Sequence, residues 1–131
     1  MDAAEGHVLA WRRNVARAAE YCAAFGADPA WEIVFLFYAG LHLTDAYLAT
    51  KAARFAATNH SERKRAIKAC RELPDRFRAA YESLQELSTS VRYEPRYVPR
   101  MVDHDSAKSH LKTVEQFLES KLRTRVPGAF P

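Results

Sequence analysis

An all-α fold, an up-and-down bundle of four main helices with one extra short helix between the second and third, is what this sequence predicts. Three observations predict it. Apolar residues recur at spacings of three and four in four separate segments. Helix start and stop residues fall between those segments. No run alternates apolar and polar residues as a half-buried strand does.

The first helix is expected from about Ala4 to Phe25, with Val8, Trp11, Val15, Ala18, Cys22 and Phe25 as its packing seam and Gly26 as its C-terminal cap. Asp28 can accept hydrogen bonds from the free N–H groups of the next helix, and Pro29 suits a first helical position. The second helix is the longest apolar stretch, WEIVFLFYAGLHLTDAYLATKAARFAA, expected to run to about Ala57 with Gly40 as its weak point. Trp31, Phe35, Tyr38, His42, Asp45 and Ala49 line one stripe of it, with Val34, Leu41 and Leu48 beside them. Asn59 and Glu62 have the spacing of a capping box, opening a charged helix from His60 to about Glu72. Pro74 breaks that region, and a third long helix follows from Asp75 to about Thr89, burying Phe77, Tyr81, Leu84 and Leu87 to Ser88. The segment SVRYEPRYVPR from Ser90 to Arg100 is expected to be extended, crossing the bundle end. Asp103 or Asp105 caps a last helix to about Arg123 that packs through Ala107, Leu111, Val114, Leu118 and Leu122, with Phe117 alongside. Residues 124–131 read as a frayed or draped tail.

At 131 residues the chain makes one domain, residues 1–131, able to bury roughly two-thirds of its unfolded surface. Glu32, His42, Asp45 and Lys51 interrupt the apolar stretch, which therefore lacks the roughly 20 clean residues of a membrane span. Acids precede bases in MDAAEGHVLAWRR, the reverse of a signal peptide, so a cytoplasmic location is expected. Cys22 and Cys70 stand apart with no CxxC, no His at metal spacing accompanies them, and no HExxH, Gly-rich phosphate loop or GxSxG is present. Neither a metal nor a cofactor is expected. A net charge of +4 permits an anionic partner without requiring one.

Three local patterns carry a family resemblance. FLFYAGLHLTDAYLA resembles the FYaaLHlxdAyLa signature of small stand-alone HEPN-like proteins, NHSER resembles their nHxxR segment, and LSTSVRY resembles their LSxxaRY ending. With Trp31 these cover residues 31–93 in similar order and spacing. The resemblance implies an all-helical HEPN fold, frequent homodimers, and a link to RNA cleavage, nucleotide binding, or prokaryotic defence and toxin–antitoxin systems. A nucleotidyltransferase or other protein partner is compatible with it. HEPN ribonucleases form a composite site across a dimer from an Arg and a His separated by four to six residues near the start of the last core helix. Here Arg100 and His104 have three residues between them, Arg96 and His104 seven, and Arg100 and His110 nine, and no pair fits.

The candidate binding residues are His42, Asp45, His60, Arg63, Arg92 and Tyr93. His42 and Asp45 lie one turn apart, so the carboxylate either orients the imidazole for chemistry or forms a buried polar pair with it. A buried Asp45 needs a cation, and Arg63 or Arg92 can supply it. His60 and Arg63 occupy a first helical turn, either as a phosphate site or as a cap with Arg63 reaching Asp45. The basic run Arg63 to Arg71 is either a solvated face or an RNA-facing one. Arg92-Tyr93 and Arg96-Tyr97 interleave cations and aromatics as single-strand binders do, or pack a crossing loop. An HEPN-like binding module is the expected function. The alternatives are a metal-independent endoribonuclease, with His60 or His104 as acid/base and Arg63, Arg92 or Arg100 on the phosphorane, and a purely structural or protein-interaction bundle.

Overall fold

A computed structural model describes residues 2–25, 29–51 and 57–130. Among these residues the secondary structure is entirely helical: α1 (Ala3–Phe25), α2 (Ala30–Ala49), α3 (His60–Ala69), α4 (Asp75–Tyr93), α5 (Met101–Arg125) and a 3₁₀ turn at Pro127–Ala129. Four long helices and one short one therefore appear in the expected order. The expected caps Gly26 and Asp28 lie outside the described residues.

The middle of the bundle is α2, which packs against α1, α4 and α5. Its Ile33, Phe37, Leu43, Thr44, Tyr47 and Leu48 are fully buried. The Thr44 hydroxyl is satisfied by donating to the Gly40 carbonyl at 2.8 Å. Gly40 has a packing role: a Cβ there would stand 3.2 Å from a Leu84 methyl and 3.6 Å from a Leu111 methyl, so its absence lets α4 and α5 close onto α2. The expected stripe of Trp31, Phe35, Tyr38 and His42 is the margin of this face. Trp31 is 53% exposed, and the other three are half-buried.

α2 stops at Ala49, well before Ala57. The Thr50 and Lys51 N–H groups bond to Tyr47 and Leu48 in a tightened last turn, and the Thr50 hydroxyl takes the Tyr47 carbonyl at 2.6 Å. A polar residue that satisfies the final carbonyls ends the helix, although the apolar pattern continues past it. α3 begins as expected, with Asn59 accepting from the Glu62 N–H at 2.9 Å. The reciprocal bond differs: Glu62 accepts from the Thr58 N–H and hydroxyl.

α4 runs to Tyr93, four residues beyond the expected end, because Val91 still packs on the core and no proline intervenes before Pro95. Arg92 and Tyr93 thus sit on a helix. α5 starts at Met101, and Asp103 accepts the Arg100 N–H at 2.8 Å from inside the first turn rather than from the cap position. The five expected α5 core residues are all buried. The tail is docked: Val126 and Ala129 are buried, and Phe130 lies beside Trp11 under the Arg12 and Arg123 guanidinium groups. Trp11 in turn donates to Glu115 at 2.9 Å, tying α1 to α5, and burial pushes the Glu115 carboxyl above its usual range.

Candidate functional site

The site grows from one buried ion pair. The N-cap at Asn59 sets α3 so that Arg63, one turn in, points at α2. Its Nε and Nη2 donate to Asp45 Oδ1 and Oδ2 at 2.7 and 3.0 Å, a fork geometry that only arginine offers a carboxylate. Both side chains are over nine-tenths buried. Burial opposes the Arg63 charge, but the hydrogen bonds and charge of Asp45 outweigh it and raise the guanidinium pKa. The Tyr81 hydroxyl is buried against the same guanidinium. Burial first, then Asp45, push its pKa up against the pull of Arg63.

Around this anchor stand residues that reach solvent. His60 is exposed and turns Nδ1 toward Arg63 Nη1 at 3.3 Å. A guanidinium can only donate, so His60 Nδ1 accepts and the ring proton is assigned to Nε2, on the far edge of the ring. Burial, then Arg63 and Arg92, lower the His60 pKa, with Asp45 opposing. Phe37 lies beside both His60 and Arg92, its ring 5.9 Å from the imidazole and 5.8 Å from the guanidinium carbon. Arg92 donates to the Tyr38 hydroxyl at 2.9 Å and the Ser88 carbonyl at 3.3 Å, and it lies 5.0 Å from the Tyr93 ring. Tyr93 is 68% exposed.

The first turn of α3 and the last turns of α4 enclose an open groove of about 600 Å³. His60, Ser61 and Lys64 form one wall, and Glu82, Gln85, Glu86, Thr89 and Ser90 lie on the other. Lys64 on that wall and Arg65, Lys68 and Arg71 beyond it are exposed, and like Arg92 they make no ion pair among the described residues.

Five of the six candidate binding residues therefore meet: Asp45, His60, Arg63, Arg92 and Tyr93. His42 faces the other way, toward α1, where His7 meets it with a Nδ1–Nδ1 separation of 3.0 Å. The remaining two candidates lie at the start of α5. Arg100 is exposed, whereas His104 is 4% exposed and bonds Glu32 Oε1 through Nε2 at 2.6 Å. Buried in this way, His104 offers no face to a solvent-borne substrate. Glu32 also faces the Cys22 thiol and pushes its pKa up, which keeps the thiol protonated rather than nucleophilic.

Sequence reasoning missed His7, Phe37 and the Glu32–His104 pair. His7 and His42 are 35 residues apart, and Glu32 and His104 are 72 apart. No local spacing signals either pair. Among the described residues no three His, Cys, Asp or Glu side chains gather as a metal cage, and no helix is long and apolar enough to cross a membrane. Comparison with protein-family models, curated proteins and solved structures gives no match.

Proposed function

We propose that the chain is an HEPN-like helical module that binds single-stranded RNA or a nucleotide without cleaving it, as one component of a dimeric prokaryotic stress or defence system. The observation that carries this reading is the cluster of Arg92, His60 and Tyr93 around Phe37 and Tyr38, beside a basic face that makes no ion pair among the described residues. Arg92 supplies a charge for a phosphate and Tyr93 an exposed ring for a base, the two contacts that single-strand binders combine. The His60 Nε2–H adds a neutral donor, and the buried Asp45–Arg63 pair holds α3 where these groups converge. The non-catalytic part of the reading rests on His104, which is enclosed with Glu32, and on an Arg/His spacing that departs from the family's ribonuclease motif.

The test is fluorescence anisotropy with a labelled mixed-sequence RNA oligonucleotide at several salt concentrations. Binding is expected to weaken with salt as phosphate contacts release counterions. Tyr93→Ala should cost about 1–3 kcal/mol, the range for one stacked base, with Tyr93→Phe close to wild type. Arg92→Ala should weaken binding and flatten the salt dependence. Absence of binding at low salt would overturn the reading, and cleavage of the RNA in EDTA would replace it with the endoribonuclease alternative.

A further inference from the structure

We infer that His7 and His42 form a two-histidine chelate, bridging α1 and α2, for a late first-row divalent metal ion such as Zn²⁺, Ni²⁺ or Cu²⁺. The two Nδ1 atoms stand 3.0 Å apart. The ring centroids are 5.2 Å apart, so the imidazoles meet edge to edge through their nitrogens rather than face to face. At metal–nitrogen distances of roughly 2.0–2.1 Å, two ligands subtending a square or tetrahedral angle lie about 2.9–3.4 Å from each other. The observed separation is that bite. Binding requires the two Nδ1 atoms, opposed in the metal-free pair, to turn their lone pairs onto the ion.

Two imidazole nitrogens cannot face each other at this distance with both lone pairs bare. In the metal-free pair one ring carries its proton on Nδ1 and donates it to the other. On metal binding that ring exchanges the Nδ1 proton for one on Nε2 through solvent, so the neutral pair binds the ion with no net proton release. Burial, and then the charge of the facing His7, lower the His42 pKa, which keeps its lone pair available at neutral pH.

The neighbouring charges are mixed. Asp45 favours a cation near His42, while Arg63 and Arg13 oppose it. Arg63 is already neutralised by its fork on Asp45, which leaves the exposed Arg13 as the uncompensated charge. Imidazole donors without an added carboxylate select borderline transition ions over Mg²⁺ and Ca²⁺. No third protein ligand gathers there among the described residues, so water completes the coordination shell and binding is reversible. Because each helix contributes one ligand, the ion clamps α1 to α2 and stabilises the folded state by mass action.

Calorimetric titration of the purified chain with Cu²⁺ and with Zn²⁺, paired with thermal melts at increasing metal, tests this. One equivalent should bind, Cu²⁺ tighter than Zn²⁺, with a rise in Tm that Mg²⁺ does not reproduce. His7→Ala and His42→Ala should each weaken binding at least tenfold and abolish the Tm rise, while His110→Ala should do neither. His7 lies on the partly exposed side of the pair, so His7→Gln serves if a His42 variant fails to fold. Absence of one-equivalent binding, or binding that survives both His7 variants, overturns the proposal.

Discussion

Glu32 and Asp45 are both carboxylates buried on α2, and their partners differ in kind. Asp45 receives two hydrogen bonds from a guanidinium fork, which secures the short helix α3 to the bundle. Glu32 receives one bond from His104, whose other ring nitrogen, Nδ1, has no hydrogen-bond partner among the described residues and lies 3.6 Å from Asp105 Oδ1. The structures that rely on each pair also differ. α3 buries only Arg63, Ala66 and Ile67, so much of its attachment passes through the ion pair. α2 and α5 already share an apolar core of Phe37, Leu111, Val114 and Leu118, and Glu32–His104 only sets their register at one end. The Asp45 pair therefore positions the candidate site, whereas the Glu32 pair belongs to the scaffold.

Removing one partner of the stronger pair sharpens this contrast most. Arg63→Ala leaves Asp45 buried and uncompensated, and a loss of about 3–5 kcal/mol in stability is expected. The double variant Asp45→Ala with Arg63→Ala should recover a large part of that loss, because no bare charge remains. Urea denaturation of the four-member cycle measures it. A double-variant loss equal to the sum of the two single losses would break the assignment, because the coupling would then be absent.

His104→Ala is the matching cut in the scaffold. It removes one hydrogen bond and strands Glu32, for an expected loss of about 1–3 kcal/mol. Glu32→Gln keeps an acceptor for the ring and should cost about 1 kcal/mol. RNA affinity should be unchanged in both, since neither residue reaches the groove, while Arg63→Ala should lower it by disordering α3. A drop in affinity with His104→Ala would reverse the division between site and scaffold.

Much of this contrast was readable from the chain, and the remainder was not, for a physical reason. The helices, the Asn59 cap, the Pro74 break and the α5 core follow from local spacing, which a linear sequence displays directly. A buried Asp45 demands a cation, and the sequence offers Arg63 or Arg92 without choosing between them; the structure gives it Arg63. Arg92 went instead to Tyr38, a choice made by where α4 ends. The Glu32–His104 and His7–His42 pairs depend on how far helices slide along one another, a property of tertiary packing that leaves no trace in spacing. Trp31 misled for the same reason. It shares a helical stripe with Tyr38 and His42, but at the start of α2 none of the described residues covers the ring, which is exposed.

Acid separates the same regions by a smaller effect. The His42 and His60 pKa values both lie below the ordinary 6.5, chiefly through burial. A lowered histidine pKa means that the unfolded chain takes up the proton first. Stability from these two residues is therefore present above pH 6.5 and lost as pH falls below it. Glu115, raised by burial, acts with the opposite sign, since its contribution is present below its ordinary 4.5 and lost as pH rises. Glu72, held down to about 2 by Lys51, Tyr47 and Arg125, matters only in stronger acid. Melts between pH 7.5 and about 5.5 should therefore show Tm falling with acidification. His42→Gln should flatten that fall by removing one of the two titrations, and His60→Gln should flatten it less, because His60 is the more exposed ring. A Tm that rises toward pH 5.5 in the wild type would show that the carboxyl terms outweigh the histidines.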